Sequence, residues 1–303
     1  MTQIHNTRGH LLAFFTILVW GTTFISTKIL LNDFTPVEIL FIRFAMGTLF
    51  LILLYPHRFK PEKRSHEVYF ILAGFTGILL YYLLENIALT MTTAGNVGIL
   101  VAVAPFFTAI LSRLFFKTEK VGKTFYLGFI VAIIGIAIIS YNGSTNIEIN
   151  PLGDILSILA AIMWAFYSNI TKKISSFGYN TIQTTRRSFF YGLVLMIPFL
   201  FIMDANLSLG SLIRITEPMN LANLIFLGLG ASAVCFVTWG LAIKYIGAIK
   251  TSVYIYLGPV ITVITSAIVL KERITFLLII GITFIIIGLL LSESKTHKRN
   301  KNQ

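Results

Sequence analysis

Residues 9–28 read GHLLAFFTILVWGTTFISTK, and residues 153–172 read GDILSILAAIMWAFYSNITK. Gly9, Trp20 and Lys28 of the first stretch return as Gly153, Trp164 and Lys172 in the second, each 144 residues later. Further along, Gly74, Pro105, Gly128 and Gly135 are answered by Gly228, Pro259, Gly281 and Gly288, at separations of 154, 154, 153 and 153 residues. Small loop insertions account for the drift. The chain is a duplicated object, and helix-breaking residues at matched places in two apolar halves predict a transporter whose halves rock about one site.

Composition places the duplicated unit in a bilayer. Of 303 residues, 56% are hydrophobic and only 12% charged, too little polar surface to wrap a soluble core of this size. Stretches long enough to cross roughly 30 Å of hydrocarbon at about 1.5 Å per residue recur ten times. They are expected at His10 to Leu31, Pro36 to Tyr55, Val68 to Thr90, Thr93 to Lys117, Gly122 to Tyr141, Leu152 to Lys173, Thr181 to Met203, Leu221 to Tyr245, Ala248 to Leu270 and Ile274 to Ser292. The fold class is an all-α integral membrane protein. Short connections make consecutive helices antiparallel neighbours, and the longer stretch Asn142 to Pro151 marks the boundary between halves. The expected units are residues 9–141, residues 152–292 and a basic tail, 293–303. Five helices per half is an odd number, so the second copy enters from the opposite face and the repeats are inverted.

The formal charge of +12 raises nucleic acid as a partner, and the distribution of that charge argues against it. With the amino terminus inside, sixteen of the 24 basic residues fall on inside segments, such as Arg58, Lys60, Lys63 and Arg64, and four, Lys28, Arg214, Lys271 and Arg273, fall outside. The bias puts both termini in the cytoplasm, and the basic tail suits anionic lipid. The expected partners are therefore the bilayer of the cytoplasmic membrane and a small-molecule substrate; the oligomeric state stays open, a monomer included. Cysteines introduced at Ser144 and Lys298 are expected to label from opposite sides of intact cells. Reaction of both with an impermeant reagent would make the orientation and the odd helix count wrong. Cys235 has no partner cysteine and reads as core filling. The first apolar run is too long for a cleaved signal core. Asp204 to Asn220 suits either a short interfacial segment or an ordinary loop.

Leu84-Glu85-Asn86-Ile87-Ala88-Leu89, Thr92-Thr93-Ala94-Gly95-Asn96, Ala104-Pro105-Phe106-Phe107-Thr108-Ala109 and Lys117-Thr118-Glu119-Lys120 together resemble the EamA family of the drug/metabolite transporter superfamily. Ala242, Gly247-Ala248, Gly258-Pro259-Val260-Ile261-Thr262 and Lys271-Glu272-Arg273 repeat the pattern more loosely, and Trp20-Gly21 opens the first copy. The resemblance covers about residues 9 to 292. It implies a ten-helix bundle that exports or exchanges small metabolites, and leaves the metabolite open. One departure stands out: Trp239 occupies the place of Glu85, so the halves offer different chemistry.

Several side chains are candidates for a transport site. Pro105 and Pro259 fall midway along their helices, where a proline removes a backbone hydrogen bond and frees a carbonyl; such a group needs a protein or water partner in hydrocarbon, either in a packed kink or at a cavity wall. Glu85 would cost about 2.5–3.5 kcal/mol at a membrane centre, so it requires a partner, protonation or water. It lies about 7 to 8 Å below the outer face and Arg43 about 10 Å below it, which permits an ion pair or a working carboxylate. Asn86 and Asn96 bracket the turn between helices three and four and either cap helix ends or face the same vestibule. Arg187 lies about 9 to 10 Å deep with no acidic residue at that depth in its own half, so it either snorkels or docks an anion. Trp20 and Trp164 lie away from the interfaces where tryptophan is enriched, and with Tyr81, Tyr82, Tyr167, Tyr254 and Tyr256 suit an aromatic cavity or a packed core.

No enzyme is expected. Gly228-Leu229-Gly230-Ala231-Ser232-Ala233 faintly imitates a dinucleotide fingerprint but lies in an apolar helix with no preceding strand. There is no phosphate loop, zinc pattern or nucleophile with a base, so no cofactor or metal is implied. The reading is a membrane transporter of small organic metabolites, amino acids or related solutes, working by alternating access as an exporter or exchanger. Proton coupling through Glu85 and uncoupled exchange both fit. The alternative class is a structural or sensory bundle that transports nothing, which has no need of two alternating faces.

Overall fold

The computed structural model describes residues 2–92, 94–116, 122–143, 150–206, 213–269 and 276–293, and every regular element among them is helical. Ser144, the basic tail beyond Glu293 and part of the 204–220 stretch lie outside the described residues. Seven helical runs are long and apolar enough to cross a membrane. Large apolar side chains such as Leu49, Leu53, Val68, Phe201 and Ile202 stand on their outer faces, where lipid gives them a favourable surround.

In chain order the helices are α1 (Thr2–Trp20), α2 (Thr23–Leu30), α3 (Pro36–Leu54), α4 (Ser65–Ala73), α5 (Tyr81–Met91), α6 (Ala94–Val101), α7 (Ala104–Leu114) and α8 (Lys123–Gly143). The later part supplies α9 (Pro151–Ser175), α10 (Thr181–Ile202), α11 (Pro218–Ile225), α12 (Cys235–Ile246), α13 (Ala248–Val253), α14 (Leu257–Val269) and α15 (Phe276–Glu293). Local chemistry sets several ends. Thr35 and Glu38 form a reciprocal capping box before Pro36 starts α3, and Asn150 accepts the Gly153 N–H where Pro151 starts α9. Gly247, at φ 88°, ends α12 in a conformation that side chains resist, and α13 begins at the next residue.

Several spans that the sequence presents as single helices are interrupted. Gly21 and Thr22 separate α1 from α2, and Ala102 and Val103 separate α6 from α7. Pro105 therefore sits in the first turn of α7 rather than inside an unbroken helix. Pro259 follows a 3-10 turn, Tyr254–Tyr256, that separates α13 from α14. Gly74–Leu80 and Phe226–Val234 are π-helical stretches joining α4 to α5 and α11 to α12. Each widens the turn and loosens the regular carbonyl ladder, a distortion that concentrates at functional sites.

The packing explains the repeated glycine, tryptophan and lysine. A Cβ on Gly9 would lie 2.6 Å from Ile246 Cγ2, and one on Gly153 would meet Met91 and Thr92 at 3.3 Å, so each glycine permits a close crossing at the end of a helix. Lys28 Nζ donates to Leu89 O at 2.6 Å and Lys172 Nζ to Ile243 O at 3.4 Å, which places a cation on the carbonyl ends of α5 and α12. α1 runs along α12 and α9 along α5, while α3 lies on the second π-helical stretch and α10 on the first. α8 and α15 pack together, separately from the aromatic core.

Candidate functional site

The three tryptophans of the chain converge. Trp20 ends α1, Trp164 is in the middle of α9 and Trp239 is on α12; their ring centroids are 5.1 Å (Trp20–Trp164), 5.1 Å (Trp20–Trp239) and 5.9 Å (Trp164–Trp239) apart. Phe236, Tyr81 and Tyr167 complete the shell, at 5.9, 4.7 and 5.0 Å from Trp164. Trp20 Nε1 donates to Ala231 O at 2.8 Å, a carbonyl in the second π-helical stretch, whereas Trp164 Nε1 and Trp239 Nε1 are buried without a partner.

Arg43 and Glu85 flank this shell. The Arg43 guanidinium lies 4.4 Å over the Tyr82 ring, its Nε donates to Ser232 Oγ at 3.0 Å, and its Nη2 is unpartnered. No ion pair within 4.0 Å joins it to Glu85. Tyr81, one turn earlier on α5, and Arg43 are the polar groups that act on the Glu85 carboxyl, and Glu85 Oε2 accepts no hydrogen bond. Neither side chain is fully satisfied at this burial.

Arg187 answers to a different environment from the one its own half suggests. It forms a two-bond pair with Glu67, Nε to Oε2 at 3.1 Å and Nη2 to Oε1 at 2.6 Å, and Tyr191 donates to the same carboxylate at 2.8 Å. The counterion comes from α4, in the first half of the chain, so Arg187 is not a vacant anion dock. Arg186 donates to the backbone oxygens of Tyr55 and His57 and fastens the connection that follows α3.

The other candidates separate. Asn96 donates to Thr92 Oγ1 and Asp154 Oδ1, joining α6 to the start of α9. Asn86 donates to Pro36 O at 3.3 Å. Tyr256 leaves the expected aromatic cavity for a second apolar cluster with Phe125 and Ile285, and Tyr254 meets His10 Nδ1 at 2.8 Å. Pro105 and Pro259 lie on broken helices that pack against one another: α7 against α13, and α6 against α14. Ser232 and Phe236 were not singled out by sequence reasoning; the 154-residue offset that links Gly74 to Gly228 also carries Tyr82 onto Phe236, which was the available signal.

A narrow cleft lined by Tyr167, Thr171, Tyr179, Thr184, Ser188 and Gly240 reaches the shell at Tyr167. At the corresponding places of the first half stand Leu40, Phe44 and Asn86, larger than Thr184, Ser188 and Gly240.

The EamA-like transporter family model matches residues 7–141 and again residues 151–293. The chain belongs to that family. An uncharacterized transporter of Archaeoglobus fulgidus is 28% identical over 299 residues, covering 97% of this chain and all of its own. The uncharacterized transporter YdfC of Bacillus subtilis is 26% identical, covering 93% and 90%. A probable terminal-alkyne amino-acid exporter of Streptantibioticus cattleyicolor is 24% identical, covering 94% and 93%. A crystal structure at 17% identity superposes with a TM-score of 0.76 over 98% of this chain and 99% of that one, which establishes the fold alone. The protein is a multi-pass membrane transporter and not an enzyme.

Proposed function

We propose that this EamA-like transporter carries small organic metabolites, amino acids or related solutes, across the cell membrane as an exporter or exchanger. Transport proceeds by alternating access between two inverted five-helix halves, residues 9–141 and 152–292, with both termini cytoplasmic. The observation that carries the reading is the tryptophan shell, contributed by α1, α9 and α12 and flanked by the incompletely satisfied Arg43 and Glu85. An aromatic wall with a few convergent polar groups is the usual makeup of a small-molecule site.

Ten crossings are supported by the seven long apolar runs together with three shorter ones, Lys123–Ile138, Ala248–Ile261 and Ile279–Ser292. Inversion is supported by the odd count and by contacts that recur with their roles exchanged. Gly9 meets the end of α12 and Gly153 the end of α5, while Lys28 and Lys172 sit on the carbonyl ends of α5 and α12. Proton coupling through Glu85 and uncoupled exchange both remain within the reading, and an imposed pH gradient separates them.

The test is counterflow in proteoliposomes of the purified chain. Vesicles loaded with an unlabelled solute are expected to accumulate the labelled form for at least one amino acid or related metabolite, and protein-free vesicles not. Absence of counterflow for every solute in such a panel, from vesicles holding folded protein, would remove the proposal.

A further inference from the structure

Two arginines at corresponding places, 144 residues apart, are treated in opposite ways. Arg187 is held by the Glu67 carboxylate through two hydrogen bonds. Arg43, 1% exposed, donates to the neutral Ser232 hydroxyl and lies over the Tyr82 and Phe44 rings, and its Nη2 has no hydrogen-bond partner among the described residues. Glu85, 4% exposed, is the opposite case, with Oε2 accepting from nothing. The two charges share one aromatic shell: Tyr82 lies under Arg43, Tyr81 acts on Glu85, and the Tyr81 ring is 4.7 Å from both Tyr82 and Trp164.

Buried polar atoms without partners are rare in native folds, and unpaired charges are costlier than neutral groups. Here a donor and an acceptor, each on a charged side chain, are left incomplete in the same apolar surround. A carboxylic acid would complete Arg43 and leave Glu85 as it is; an amine would do the reverse. Either alone would also bring one net charge into an apolar surround, where solvent does little to screen it. A zwitterion completes both groups and adds no net charge.

We propose that the site reads both charges of an α-amino acid at once, Arg43 taking the carboxylate and Glu85 the ammonium, with the amino-acid side chain against the indoles of Trp164 and Trp239. This assigns a substrate class and residue roles within the transport reading above, and rests on it. Positions Arg43 and Glu85 then set specificity, and the cleft beside Tyr167 lies on the approach.

All three tryptophans of the chain line this shell, so selectively excited tryptophan fluorescence of the purified full-length protein reports on the site. The twenty common amino acids are screened by fluorescence and by counterflow. The one giving the strongest response is then compared with its decarboxylated amine and its deaminated acid. The wild-type protein is expected to bind the amino acid at least about 30-fold more tightly than either analogue. Glu85→Gln is expected to raise preference for the acid and Arg43→Gln for the amine, opposite switches that loss of folding cannot produce. Arg43→Lys, which keeps the charge without the planar fork, is expected to weaken binding without switching it.

Equal wild-type affinity for an analogue, or loss of amino-acid binding in both variants with no change of preference, overturns the proposal. If other solutes exchange and no amino acid does, the zwitterion assignment falls while transport stands. If folded protein exchanges no solute of any class, the transport reading falls and takes the assignment with it.

Discussion

Trp20→Ala is expected to destabilise the protein by up to about 3–5 kcal/mol, the range for a fully buried large aromatic side chain, since Trp20 is partly buried against the core. The residue packs against Trp164, Trp239 and Phe236 and is hydrogen-bonded to Ala231 O, so truncation loses contact on three sides and one bond into the second π-helical stretch. Trp239→Phe is expected to behave differently. Its indole N–H is buried with no partner, so phenylalanine removes an unsatisfied donor, worth about 1–3 kcal/mol, against the cost of a smaller ring. The two terms are comparable and stability should change by less than about 1 kcal/mol. Counterflow, however, should fall in Trp239→Phe. Thermal unfolding in detergent measures both variants; equal destabilisation would mean that the cluster is uniform packing and that the unpartnered N–H groups carry no function.

The second large effect concerns α8 and α15. A Cβ on Gly135 would lie 2.6 Å from Gly281 O and 2.8 Å from Ile285 N, and one on Gly288 would lie 2.6 Å from Gly128 O. These neighbours are backbone atoms, which no rotamer change can move, so the helices must separate and lose dispersion contact along the interface. Alanine gains about 0.8–1.0 kcal/mol of helix propensity over glycine, while overpacking costs about 1–3 kcal/mol and occasionally more. With backbone at this distance the second effect is expected to win, and Gly135→Ala should lower the unfolding temperature and the yield of folded protein. Gly98→Ala is the control: among the described residues the only atom near its Cβ is Phe24 Cε2 at 4.0 Å, so it should be neutral or slightly stabilising. A Gly135→Ala protein as stable as Gly98→Ala would show that the two helices do not depend on this close approach.

Several residues of the candidate site were legible in the sequence. The matched spacing of Trp20 and Trp164 marks them as equivalent, and the insertion cost of Glu85 marks it as a residue needing a reason to be there. Arg43 followed from its depth. Arg187 has no acidic partner at its depth within its own half, and its carboxylate, Glu67, stands 120 positions away at the start of α4. Tyr256 looked like a member of the aromatic shell because residue type and rough depth do not reveal which way a helix is turned.

The sequence by itself determined the duplication, the apolar lengths that suit a bilayer and the identity of the breakers. These depend on composition and on periodic recurrence along one chain, which need no knowledge of neighbours. Only the tertiary structure decided that Trp239 joins Trp20 and Trp164, that Glu67 neutralises Arg187 and that Arg43 and Glu85 are left incomplete. A helix such as α8 or α15 is apolar on every side, because lipid and protein core favour the same side chains, so its pattern does not say which face turns inward. A π-helical stretch shifts the facing of every later residue by widening one turn. The rotation that brings Ser232 to Arg43 and Ala231 O to Trp20 is set by helix against helix, where the repeat spacing carries no information.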